Sequence, residues 1–315
     1  MQDHRPKIQS ADYYQGKSKV KSFKTAAVFA KRTEPMGEAL KKLLSILKAQ
    51  NVDYLLETST AEHLPGSTGV SLEELGEKAD VIIMLGGDGT TLGIARRMAK
   101  FKLPIIAINA GRLGFITDFS LQEMEQNLPP LLRGEYEVDT RAMLRVRVYR
   151  QGTIVFDATA VNDAGITHGR AGSMVEFNVW VDGHPMATQR SDGVIVSSAT
   201  GSTAYAMAAG GPILHPALNA MVLVPVAPHA LTNRPIVLPG SSTIDIGLIE
   251  AREASAYCDM QDFFPMQKGD ILRVRTMPES FTILHPVGHN HYDTLRRKLY
   301  WNLMPSDNAS LPIKD

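Results

Sequence analysis

The chain has 315 residues, 44% of them hydrophobic, which is enough for two ordinary cores and excludes a disordered or fibrous chain. Its 33 basic and 33 acidic residues cancel, so no global field favours nucleic acid or an anionic membrane, and any anion site must be local. Cys258 is the single cysteine, which excludes an internal disulfide and a multi-cysteine zinc site; with no signal-type or roughly 18-residue apolar segment, the expectation is a soluble cytoplasmic protein.

The polar, lysine-rich opening reads as a frayed tail over residues 1–24. TAAVFAK then starts a β-α pattern, a short apolar run followed by Met36, Leu40, Leu43, Leu44 and Leu47 at helical spacing. DYLLE (53–57), VIIML (81–85) and PIIAIN (104–109) read as further strands, with Thr90 placed to cap the helix between the last two. Continuous apolar strands separated by helices predict a parallel sheet covered on both faces, an α/β, Rossmann-like domain over 25–138. Ser120 and Glu123 form an S-x-x-E capping box before a helical stretch ending near Arg133.

Beyond that the texture changes. LRVRVYR, TIVFDATAV, MVEFNVWVDG, GVIVSS, MVLVPVAP, PIVLP, TIDIGLI and ILRVRT predict an all-β domain over 139–285. NHYDTLRRKLYW (290–301) regains helical spacing, so 286–315 is expected to be a C-terminal helical segment that packs back on the first domain.

The chemistry is concentrated at VIIMLGGDGTT, where a buried-type strand runs into Gly86, Gly87, Asp88 and Gly89. In an open parallel sheet ligands sit beyond the carboxyl ends of the strands, and glycines there let backbone N–H groups approach phosphate oxygens beside a helix N-terminus. A carboxylate next to phosphate must hold Mg²⁺ or take a proton from an attacking hydroxyl, which points to phosphoryl transfer. The same four letters also suit a plain tight turn with Asp88 capping a helix. Neither G-x-x-x-x-G-K-[ST] nor a strict G-x-G-x-x-G occurs near this loop, so a P-loop NTPase and an ordinary dehydrogenase are unsupported.

Three more clusters qualify. NAGRLGFITD (109–118) follows the next strand, with Phe115 available to stack on a base; Asn162 and Asp163 offer an amide and a carboxylate suited to ribose hydroxyls. SDGVIVSSATGSTAYAMAAGGP (191–212) brings Asp192 and then a hydroxyl-rich turn with Thr203, Ala204 and Tyr205, while Arg190 beside it is offered as a phosphate partner. His289 and His291 are expected to be solvent-exposed rather than metal ligands, and Ser197, Ser198 and Ser202 lack a nucleophile elbow.

In order along the chain, GGDGT (86–90), NAGRLGF (109–115), Asn162-Asp163, DGVIVSSATGSTAY (192–205), AGGP (209–212), CDMQ (258–261) and the segment from His285 to Trp301 closely resemble the NAD kinase family. The resemblance implies transfer of the γ-phosphoryl of ATP to the 2′-hydroxyl of the adenosine ribose of NAD, with a divalent cation, Mg²⁺ by preference, a nucleotide-binding domain over 25–138, a sandwich-like, dinucleotide-binding domain over 139–285, and a homodimer or homotetramer. By the same resemblance Asp88 is the general base with Gly86, Gly87 and Gly89 beside it, and Phe115 contacts the dinucleotide. Asn162 and Asp163 hold ribose hydroxyls, Asp192 serves the nicotinamide side, Thr203, Ala204 and Tyr205 the adenylate, and Gln261 is a further candidate. No residue is assigned to the metal. Two departures stand out: Asn-Asp replaces the commoner Asn-Glu, and Ala199 stands where a proline is usual. GGDGT alone is also similar to lipid and sugar kinases, and a non-catalytic NAD(P)-binding regulator would carry the same binding motifs.

Overall fold

The computed structural model describes residues 22–33, 35–111, 114–169 and 174–301. Most of the expected tail, part of the 109–118 loop and the chain beyond Trp301 therefore lie outside the described residues. Five parallel strands, Thr25–Ala30, Asp53–Glu57, Gly69–Val70, Val81–Gly86 and Ile105–Asn109, lie in the order third, second, first, fourth, fifth. Their unbroken apolar runs follow from burial on both faces. Ala26, Val28, Val81, Ile83, Leu85, Ile106 and Ile108 pack with Leu40, Leu43 and Leu47 of helix Gly37–Ala49 and with Met124, Leu128 and Leu131 of helix Met124–Leu132. The alternate residues Ala27, Phe29, Ile82, Met84, Ile105 and Ala107 pack with Leu75 of helix Leu72–Lys78 and with Leu92, Ile94, Ala95 and Met98 of helix Asp88–Met98.

Two long strands carry this sheet into the second half of the chain. Ile271–Pro286 runs parallel to Ile105–Asn109 near its end and antiparallel to Thr243–Glu250 near its start. Along its length it pairs antiparallel with Tyr136–Arg150. In Tyr136–Arg150, Leu144, Val146 and Val148 point into the sandwich while Arg145 and Arg147 point out toward Asp157, the period of two that a half-covered sheet requires. A second, six-stranded antiparallel sheet packs face to face on this region, and Ala164, Ile166, Val194, Val196, Met221 and Leu223 supply its side of the core. The fold is thus an α/β domain with a parallel sheet joined to a C-terminal β-sandwich.

The last helix, His291–Leu299, returns to the first domain, with Lys298 Nζ 5.8 Å from the Phe115 ring centroid. Asn290 caps it, its side-chain oxygen accepting from Tyr292 N at 2.9 Å. Among the described residues, no helix is long and apolar enough to cross a membrane.

Two local expectations are corrected. Thr90 does not cap the helix: Gly87 is the N-cap, the helix begins at Asp88, and no side chain caps it. His289 and His291 are not exposed; His291 is buried, and His289 is mostly covered by its stacking on His285. The S-x-x-E pair forms half its box, with the Glu123 carboxylate accepting from both N and Oγ of Ser120 at 2.8 Å. Its helix starts one residue later, at Met124, so Ser120 does not act as N-cap.

Candidate active site

The strand order reverses between Thr25–Ala30 and Val81–Gly86, and ligands of open α/β sheets sit in the crevice beyond such a switch point. Gly86-Gly87-Asp88-Gly89 leaves the sheet there. A Cβ at Gly87 or Gly89 would meet open space, and neither glycine has a left-handed φ, so folding alone does not demand glycine at either position. Their bareness leaves the helix N-terminus accessible to a phosphate at close range.

Asp88 is held by the loop after the neighbouring strand. Its Oδ2 accepts from Phe115 N at 2.7 Å, and its Oδ1 from Ile116 N at 3.2 Å and Thr117 N at 3.4 Å. Gly114 is the one residue type that fits beside it, because a Cβ there would collide with the Asp88 carboxylate. Thr117 Oγ1 accepts from Asn109 Nδ2 at 3.1 Å and Gly114 N at 3.2 Å, so this loop is tied back to the strand it leaves.

The second half of the cleft reaches the first through residues 258–262. Gln261 Nε2 donates to Gly89 O at 3.1 Å, and Arg96, on the helix that starts at Asp88, lies 3.7 Å from Asp259 and pairs with Asp262. Asp259 in turn collects three backbone N–H groups, from Val161 at 2.9 Å, Asn162 at 2.7 Å and Asp163 at 3.1 Å. One buried carboxylate thus positions the Asn-Asp pair, in a hairpin turn where Asp259 and Met260 both adopt left-handed φ. Asp259, Arg96 and Asp262 are site residues that the sequence alone does not single out; the acid two residues before Gln261 in CDMQ is the available signal.

From the other side, Ser198 N and Ser197 Oγ both donate to Asn162 O, at 2.8 and 3.2 Å, and Ser198 Oγ donates to Val161 O at 2.6 Å. Gly201 sits so close to Asn162 that a Cβ would strike its carbonyl. Ser202 anchors the turn before Tyr205 by donating to Ala199 O at 2.7 Å and accepting from Leu214 N at 2.8 Å. Here the serines are scaffolding for the turn. Tyr205 stacks obliquely on Tyr257, with centroids 6.4 Å apart.

The electrostatics single out Asp163, which is 2% exposed. Burial, reinforced by the nearby Asp259 charge, pushes its carboxyl up to about 7. Burial and then the Asp163 and Asp192 charges raise the Tyr205 phenol, and burial and then Asp163 raise Tyr257 further. Asp259 is also raised by burial, against the opposing pull of its three N–H donors and Arg96. Around the Asn-Asp pair, Asn162 Oδ1, Asp163 Oδ1 and Tyr257 OH are among the buried side-chain atoms with no partner among the described residues. Orphaned polar groups at this density mark a place where a hydroxyl-bearing ligand completes the hydrogen bonding.

Of the residues singled out from sequence, Asp88, Gly89, Phe115, Asn162, Asp163 and Gln261 therefore join one contact network, with Gly86 and Gly87 leading into it. Thr203 and Ala204 lie in the turn before Tyr205, which feels Asp192. Arg190 does not join this network. It is 62% exposed on the first sheet, opposite Glu176 at 3.8 Å.

A phosphate-ready helix start at a switch point, an acid aimed by backbone N–H groups and a polar cleft closed by a β-sandwich define a nucleotide-dependent phosphotransferase. Residues 24–136 match the ATP-NAD kinase N-terminal domain and 161–285 the ATP-NAD kinase C-terminal domain. An NAD kinase of Cupriavidus pinatubonensis is 47% identical over 292 residues, spanning 92% of this chain and 96% of that protein. The chain belongs to the NAD kinase family and is a kinase. Its fold is similar to that of yeast NADH kinase complexed with NADH, at TM-score 0.79 and 22% identity over 94% of this chain and 91% of that one. It is also similar to an Archaeoglobus fulgidus NAD kinase in complex with ATP, at TM-score 0.69 and 26% identity over 88% and 98%.

Proposed function

We propose that the enzyme transfers the γ-phosphoryl group of ATP to the 2′-hydroxyl of the adenosine ribose of NAD, with Asp88 as general base. The observation that carries this reading is the buried trio of Asn162 Oδ1, Asp163 Oδ1 and Tyr257 OH, joined through Asp259 and Gln261 to the loop that bears Asp88. Ribose hydroxyls supply both donors and acceptors to such a trio. The ligands of the two neighbour structures, NADH and ATP, support the same pair of substrates here.

Asp88 orients and deprotonates the acceptor hydroxyl; Gly87 and Gly89 leave room for phosphate at the helix start; Asn162 and Asp163 hold the ribose, and Phe115 packs against the dinucleotide. Asp192 borders the nicotinamide side, and Thr203, Ala204 and Tyr205 the adenylate. Asp88 is the carboxylate beside the phosphate-facing helix start, and Mg²⁺, a hard cation that keeps oxygens from water and substrate phosphates, would need no dedicated protein cage there. Mg²⁺, when bound, neutralises charge on the triphosphate. Arg190, paired with Glu176, has no part in this scheme. We further propose a cytoplasmic homodimer or homotetramer that does not act on nucleic acid or at a membrane.

Incubation with ATP, Mg²⁺ and NAD should yield NADP. Binding without product would instead make the chain a regulator, and phosphorylation of diacylglycerol or a sugar with no NADP would make it another GGDGT kinase. A second expectation concerns pH. Ribose O–H groups donate best to an ionised Asp163, whose proton leaves near pH 7 in the free enzyme. The KM for NAD should therefore fall by about tenfold between pH 6 and 8 and level off above. In Asp163→Asn that dependence should vanish; steady-state kinetics across pH decide it, and a wild-type KM flat through this window would remove Asp163 from the ribose site.

A further inference from the structure

The backbone that aims Asp88 is itself anchored one residue further on. Asp118 accepts from His285 Nδ1 at 2.6 Å on one oxygen and from His289 Nδ1 at 3.0 Å on the other. The second His285 nitrogen meets Asp139 Oδ2 at 3.2 Å, and Arg141 grips the same oxygen at 2.7 Å. His285 is 2% exposed and ends the long strand that links the two domains.

Asp118, His285 and His289 are close enough to suggest a metal site. The two imidazoles, however, stack 3.8 Å apart and 13° from parallel, so their in-plane nitrogens point side by side instead of converging. That arrangement suits two N–H donors on one carboxylate and does not suit tetrahedral coordination.

We propose that His285 is a positioning residue for phosphoryl transfer: clamped between Asp118 and Asp139, it fixes the loop whose Phe115, Ile116 and Thr117 N–H groups aim the Asp88 carboxylate. The inference rests on Asp88 being the general base. The loop has two moorings, Asn109 with Thr117 at its root and Asp118 with His285 at its exit. Releasing the second leaves the Phe115, Ile116 and Thr117 N–H groups held by the first alone. Displacing a catalytic group by about 1 Å can cost on the order of 100-fold in rate.

The charge balance agrees. Burial opposes a charged imidazole, but Asp118 and Asp139 push His285 up to about 9. Asp118 is held below the ordinary carboxylate range, its burial outweighed by His285 and His289, and so is Asp139, its burial outweighed by His285 and Arg141. The remaining neighbours are Arg141 and His291, the latter kept neutral, at about 4, by burial beside Arg141, His215 and His289. His285 is therefore a cation at neutral pH, donating from both nitrogens, and the clamp weakens as pH rises through about 9.

The test uses the full-length enzyme with His285→Ala and His285→Asn. In the alanine variant, amide hydrogen exchange of a peptide spanning the 114–118 loop should rise, and kcat should fall about 10- to 100-fold with KM for NAD and ATP changed less than about threefold. Asparagine, whose amide nitrogen sits where Nδ1 was and regrips Asp118, should restore most of kcat at pH 7. The wild-type kcat should fall above about pH 9, and that limb should be missing in the asparagine variant. A folded alanine variant with unchanged loop exchange overturns the proposal, as does faster exchange with full kcat. If the alanine variant does not fold, an alkaline limb surviving in the asparagine variant overturns it. Failure of the Asp88 reading is separately visible, as normal turnover in Asp88→Asn.

Discussion

Asp88→Asn should give an enzyme that binds NAD and ATP nearly as well as wild type but makes NADP about 10²- to 10⁴-fold more slowly, the usual loss when a general base is removed. The amide keeps one oxygen to accept from the 115–117 backbone, so the loop retains part of its grip; the proton acceptor is what disappears. The amide –NH₂ must then face at least one of those N–H donors, and some loosening is expected. Amide hydrogen exchange of a peptide spanning the 114–118 loop separates the two effects, because a loosened loop exchanges faster whereas loss of the base alone leaves exchange unchanged. Single-turnover mixing with saturating ATP and NAD reads the chemical step itself. A variant that keeps a tenth or more of the wild-type rate would remove Asp88 from the proton-transfer step.

How far the sequence reveals this architecture depends on how local each cause is. Val81–Gly86 is legible because both faces of the strand are buried, so that every residue is apolar and the run stops abruptly at glycine. The Gly-Gly-Asp-Gly turn is legible because of its position after that run. Thr90 was a poor cap candidate for a local reason that a pattern of hydroxyls conceals. The helix starts directly at the acid, leaving Gly87 as the cap and Thr90 within the first turn. The strand Asp163–His168 escaped notice because it opens on a polar pair and contains Gly165, which only glycine can occupy since a Cβ would strike Val194 O. His184–Ser191 was hidden by its Pro185 and exposed polar residues, which an outer strand tolerates.

The site residues that reading missed share another property: their partners are far away in the chain. Asp259 serves N–H groups 96 to 98 residues earlier, and Arg96 meets Asp262 across 166. No periodicity encodes such a link. His289 and His291 read as surface residues because histidines in a charged tail usually are. Here the chain doubles back, and the same two residues pack against Asp118 and Arg141 of the first half.

Asp259→Ala should produce the largest loss of stability among these sites, because it strips the acceptor from three backbone N–H groups at once. Each orphaned buried donor costs about 1–3 kcal/mol, but two effects offset part of that. Burial already disfavours the Asp259 charge, and removing the side chain leaves space for water. A net loss of about 2–4 kcal/mol, or roughly 5–10 °C in Tm, is expected by calorimetry. Asp259→Asn keeps one acceptor and should lose less. The asparagine variant also carries the sharper diagnostic. Asp259 is one of the two causes that raise Asp163, so taking away its charge while keeping the burial should move the pH at which NAD binding strengthens below 7. A stability loss without that displacement would mean that Asp259 supports the fold but does not tune the ribose site. A displacement in the expected direction would show that one buried carboxylate both builds the ribose cradle and sets the pH at which it works.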